Sequence, residues 1–108
     1  RPYYDVLLCV ANWPAVRQAA WEALLRARAV ENLAYAVGCN RVGRDGKGVA
    51  YAGGSGVYGP FGDTLLTAEP GAGLLAVTLD HAVLEAHRRA FPAHLDADAF
   101  TLDVQHDA

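Results

Sequence analysis

The chain has 108 residues, 53% hydrophobic and 19% charged, with a formal charge of −3. That length makes one domain or part of one, and the weak negative charge, with no basic cluster larger than Arg88-Arg89, argues against a nucleic-acid or membrane surface as partner. The longest apolar runs are of strand length, far short of the roughly 20 residues that cross a bilayer, and no signal-peptide pattern is present.

From Asp5 to Ala11 the chain is almost wholly apolar, which predicts a strand covered on both faces. It ends at Asn12-Trp13-Pro14, where Pro14 suits the first position of a helix. An Ala-rich helix then runs to about Asn32. Val16, Ala19, Ala20, Ala23, Leu24, Ala27 and Val30 recur at helical spacing and predict its core-facing stripe. Arg17, Gln18, Glu22, Arg26 and Arg28 fall on the wetter face, with Glu22 set to pair with Arg26 and Glu31 within reach of Arg28. Ala34 to Cys39 is a second apolar run, so strand, crossover helix and parallel strand predict a layered α/β fold.

Beyond Cys39 the glycines take over. Arg44-Asp45-Gly46-Lys47-Gly48 predicts a turn between antiparallel strands, and Val49 to Tyr58 an extended segment interrupted by a bulge or a close backbone approach. Gly59 to Asp63 predicts a tight turn with Thr64 to Thr67 as its return strand. Glu69 to Gly73 is another turn, and Leu74 to Leu79 a further strand. Asp80 is placed to cap a helix that Pro92 stops, with Val83, Leu84, His87 and Phe91 along one side. The tail is acidic, and Leu95, Phe100 and Leu102 are its means of attachment.

Candidate chemistry is sparse. Gly54-Ser55-Gly56-Val57-Tyr58-Gly59 matches a dinucleotide fingerprint in letters only, because a β-rich run follows where a helix is required. Val57 also spoils the nucleophile elbow hinted at by residues 53–56. His81, His87, His94 and His106 include no pair four apart on a helix, so no zinc site is expected. Cys9 and Cys39 fall in expected buried strands without a Cys-x-x-Cys spacing, which points to packing, reduced thiols and a cytoplasmic protein, with a disulfide between the two as the open alternative. Asn12 and Trp13 stand at the carboxyl end of the first strand and Asn40 and Arg41 at that of the second, where open α/β sheets gather their ligands. Asn12 as a helix cap and Trp13 as packing are equally consistent with that position.

Tyr4-Asp5-Val6-Leu7-Leu8-Cys9-Val10-Ala11-Asn12-Trp13-Pro14, Leu24 to Asn32, Asn40-Arg41-Val42-Gly43, Tyr51-Ala52-Gly53-Gly54-Ser55, Pro60-Phe61-Gly62 and Phe91-Pro92 follow one another in an order that resembles the second half of a nitrilase-superfamily carbon–nitrogen hydrolase, in its omega-amidase-like branch. The resemblance implies the C-terminal half of an α-β-β-α sandwich, hydrolysing the amide of a small ω-amide acid with a Glu-Lys-Cys set and no cofactor or metal. It places that set upstream, since Cys9 and Cys39 lack the family's Cys-Tyr-Asp context and neither Lys47 nor any glutamate here fits. No catalytic residue is therefore expected in this segment, and Asn12, Trp13 and Asn40 are carried over as substrate-binding. The absence of methionine and the start at Arg1-Pro2 accord with a C-terminal segment whose partner is the remaining N-terminal half; a homodimer is compatible with the architecture. One departure is Gly54, where the branch tends to have Asp before the serine. The rival expectation is a non-catalytic α/β module that binds a ligand or partner at the Asn12-Trp13 end.

Overall fold

The computed structural model describes residues 3–105, so His106 and the last two residues of the acidic tail lie outside the described residues, as do Arg1 and Pro2. Strands β1 (Val6–Ala11) and β2 (Tyr35–Asn40) flank helix α1 (Gln18–Glu31). Then come β3 (Val42–Arg44), β4 (Ala50–Ala52), β5 (Gly56–Tyr58), β6 (Thr64–Thr67) and helix α2 (His81–Ala90). Four strands make one sheet in the order β1-β2-β5-β6, parallel between β1 and β2 and antiparallel beyond; β3 and β4 form a separate antiparallel hairpin. The strand–helix–strand unit, the hairpins and the C-terminal helix are those expected.

One layer of helix covers one face of the sheet. Even-numbered residues of β2 and odd-numbered residues of β1 face α1, so Trp21, Leu25 and Ala29 pack with Ala36 and Tyr58, and Cys9, Ala11 and Trp13 border the cluster. Contact is close at Gly38, where a Cβ would come within 2.7 Å of the Trp21 ring. Alternation places Val6, Leu8 and Val10 on the opposite face, and Leu8 and Val10 are 71% and 85% exposed. The expectation that β1 is covered on both faces is thus corrected: it is an edge strand with one bare apolar face.

The predicted stripe of α1 is likewise replaced by another. Val16 is 91% exposed, and Leu24 and Val30 are also open. Burial of large surfaces decides the orientation, and Trp21 and Leu25 each remove far more apolar area than several alanines. Arg26, on the expected wet face, turns away from Glu22: its guanidinium donates to Gly62 O at 3.2 Å and Thr64 Oγ1 at 3.1 Å and lies over the Tyr58 ring. Arg28 and Glu31 do pair. Pro14 precedes a short 3₁₀ turn (Ala15–Arg17) instead of opening α1, which begins four residues later. Two residues beyond α1, Leu33 has a left-handed φ of 49°, which costs on the order of 1 kcal/mol for a branched residue and is offset by burial of its side chain.

Three further expectations change. Val49 to Tyr58 is two strands in two sheets, separated by Gly53 and Gly54, both at φ +72°. Leu74 to Leu79 forms no strand, and Leu74 is 97% exposed. Leu95, Phe100 and Leu102 are exposed and do not attach the tail. At α2 the Asp80 cap is present, its carboxylate accepting from the N–H of Ala82 at 2.9 Å, and the helix stops before Pro92. Of its predicted side only Leu84 is buried, while Val83 and Phe91 are exposed.

Candidate functional site

The carboxyl ends of β1 and β2 meet at one bracket. Asn40 ends β2 opposite Ala11 and is buried. Its Oδ1 accepts from Trp13 N–H at 2.7 Å, and its Nδ2 donates to Trp13 O at 3.0 Å and Gly53 O at 2.9 Å. Its own N–H donates to Ser55 Oγ at 2.8 Å. One amide thus ties the segment after β1 to the 53–55 loop, using its acceptor and both donors. Two residues of α1 reach the same loop: Gln18 Nε2 donates to Gly53 O at 3.0 Å, and Trp21 Nε1 donates to Gly54 O at 2.8 Å. Gln18 Oε1 is buried without a partner among the described residues. Trp13 is held at its other end by Nε1 donating to Arg17 O, and its ring lies 5.8 Å from that of Trp21.

The three predicted site residues are therefore brought to one end of the sheet in different states. Asn12 is exposed, and its side chain makes no hydrogen bond among the described residues. Trp13 is half-buried and fixed. Asn40 is fully engaged. Beside them runs a groove of about 500 Å³, lined by Asn40, Arg41, Cys39, Ser55, Val57 and, from the irregular segment, Leu75 among others. Cys39, expected in the core, is exposed, because its odd position in β2 turns it to the bare face; Cys9 faces α1.

The β3–β4 hairpin beyond the groove is organised by Asp45. Its Oδ1 accepts from the N–H of Lys47 and Val49, and its Oδ2 from the Tyr51 hydroxyl at 2.8 Å. The Tyr51 hydrogen bond is the main influence holding the Asp45 carboxyl below its usual range, and the same bond pushes the Tyr51 phenol up. Burial raises the Tyr58 phenol, keeping it neutral within the core.

A second cluster escaped the sequence reading. Arg88 of α2 is 7% exposed, with Nη1 donating to Asp5 Oδ1 at 2.7 Å and Glu85 Oε1 at 3.3 Å, Nε to Leu33 O and Nη2 to Tyr4 O. His81 Nε2 lies 3.5 Å from Glu85. Asp5, His81 and Glu85 offer atoms within 4.8 Å of one another, and the Arg88 guanidinium bonds to both carboxylates, so the group serves to clamp α2 to the start of β1. Only the spacing of His81, Glu85 and Arg88 on one helix face signalled it; Asp5 is remote in sequence.

A parallel strand pair with its crossover helix, hairpins added on one side and polar groups collected at the strands' carboxyl ends define the class as a layered α/β fold. Residues 5–89 match the carbon–nitrogen hydrolase family, and the chain belongs to it. The chain is 51% identical over 100 residues to the omega-amidase of Escherichia coli, covering 92% of this chain and 39% of that protein. Its fold superposes with a TM-score of 0.89 and 44% identity on a carbon–nitrogen hydrolase superfamily protein from Xanthomonas campestris, over 93% of this chain and 38% of that one. An amidase from Nesterenkonia, described with acrylamide added at its active-site cysteine, superposes at 0.55 with 32% identity, over 86% and 36%. The chain thus spans about two fifths of the length of these relatives. No described helix is long and apolar enough to cross a membrane.

Proposed function

We propose that this chain is the C-terminal segment of a cytoplasmic omega-amidase-like hydrolase that releases ammonia from a small ω-amide acid. The cysteine nucleophile, glutamate and lysine belong to polypeptide upstream of Arg1. The observation that carries this reading is the sheet covered by α1 on one side and bare at Leu8, Val10 and Cys39 on the other, which fits half of an α-β-β-α sandwich. The bare face receives the remaining half, and the carboxyl ends of β1 and β2 supply part of the pocket wall.

In that arrangement Asn12 and Trp13 line the pocket. Asn40 contributes by fixing Trp13 and the 53–55 loop, since it is buried and both of its amide donors are already used. The upstream thiolate attacks the amide carbonyl carbon, the lysine and a backbone N–H hold the oxyanion, and the glutamate delivers the proton with which ammonia leaves. Water then cleaves the thioester to the acid. Ammonia release from ω-amides of dicarboxylic and keto acids, measured for the longer polypeptide and for this chain alone, tests the reading. Activity is expected only in the former; turnover by residues 1–108 alone would refute the placement of the chemistry.

A further inference from the structure

Arg41 directly follows β2, and its backbone N–H donates to Ala11 O at 3.4 Å, which sets it beside Asn12 at the shared end of the two parallel strands. Its guanidinium is positioned without a carboxylate partner among the described residues. It lies 4.6 Å over the Tyr51 ring, and its Nη2 donates to Arg44 O at 3.2 Å. The hairpin's own carboxylate, Asp45, is taken up by the Tyr51 hydroxyl and two backbone N–H groups, and Arg41 is the last and smallest influence on it. By contrast Arg28 and Arg88 are consumed by carboxylates. Among the described residues Arg41 is also the one cationic residue lining the 500 Å³ groove, whose other walls are largely apolar and carry one carboxylate, that of Glu69.

A guanidinium held over a ring face and by one carbonyl, with no carboxylate partner among the described residues and at the rim of a largely apolar groove, is suited to a planar anion, because its fork matches a carboxylate. We propose that Arg41 binds the carboxylate of the ω-amide acid and thereby selects acid amides over neutral ones. The assignment rests on the amidase reading above and names the residue that gives that reading its substrate class.

The test uses the full polypeptide containing this chain, as wild type, Arg41→Gln and Arg41→Lys. Ammonia release is followed from the monoamide of a five-carbon dicarboxylic acid and from the neutral amide of equal length lacking the carboxylate. Arg41→Gln raises KM for the acid amide about tenfold to hundredfold, the loss of one charge-assisted pair, with kcat changed by less than about threefold. Arg41→Lys recovers part of the loss, keeping the charge without the fork. The neutral amide responds equally little to both variants, and inhibition by the dicarboxylic acid product weakens by the factor seen in KM. An equal fall for acid and neutral amides, or unchanged inhibition by the product, overturns the assignment while leaving the amidase reading standing. A wild type inactive on every amide overturns both.

Discussion

Asn40→Ala and Asn40→Asp probe the bracket from two directions. Removal of the amide leaves Trp13 N–H and Trp13 O without their partner, while Gly53 O keeps the bond from Gln18. At about 1 kcal/mol for each of three hydrogen bonds, and more where a partly buried group is orphaned, Asn40→Ala should cost about 3–4 kcal/mol. Asn40→Asp preserves shape and the acceptor for Trp13 N–H, but turns an oxygen toward two carbonyls that now sit 2.9 and 3.0 Å from a donor. At neutral pH it should therefore be worse than alanine. A carboxyl in that position is held protonated more readily than in the unfolded chain. Its folded pKa is raised, so stability is present at low pH and lost as pH rises through that value. Urea unfolding of the intact polypeptide, followed by tryptophan emission because Trp13 and Trp21 adjoin the bracket, reads both effects as midpoint shifts. If Asn40→Asp proves milder than Asn40→Ala at pH 7, or its penalty does not ease on acidification, the assignment of donor and acceptor at Asn40 is refuted.

Arg88→Met should lower stability by roughly 2–3 kcal/mol, less than a fully buried pair because Asp5 is about a third exposed, and hydrogen exchange should show α2 loosened first. Gly38→Ala drives a methyl into Trp21 and Leu25 and should cost about 1–3 kcal/mol, which a thermal melt will register. Asp45, with its pKa below the usual 3.8, contributes hairpin stability that is present above that value and lost as pH falls through the folded pKa. NMR titration of the Lys47 and Val49 amides should show this acid transition displaced upward in Tyr51→Phe. Leu8→Lys with Val10→Lys should make the isolated chain more soluble yet prevent assembly of active full-length protein; retained activity would mean that this face is not covered.

What the sequence disclosed depended on how locally each feature was encoded. The apolar runs of β1 and β2, the Asp45-Gly46 turn and the Asp80 cap are set by neighbouring residues and were legible. The face of α1 was not, because alanines give nearly every side of the helix some apolar character; the volumes of Trp21 and Leu25, four residues apart, were the overlooked guide. The burial of Arg88 was not legible, since its partners at Asp5, Leu33 and Tyr4 lie more than fifty residues earlier in the chain. At the candidate site, position at the strand ends was legible for Asn12, Trp13 and Asn40. The division between an open amide at Asn12 and an engaged one at Asn40 depended on the 53–55 loop folding back, which no spacing announces.

That fold-back links residues that would otherwise vary independently. A side chain at position 54 would collide with the Nε2 of Gln18, the group that grips the neighbouring carbonyl of Gly53. A homologue bearing aspartate before the serine must therefore carry something shorter at position 18 or re-aim the amide. Glutamine and glycine here form an exchangeable pair: across a set of aligned family members the two columns should change together, and swapping one alone into a relative should harm it more than swapping both.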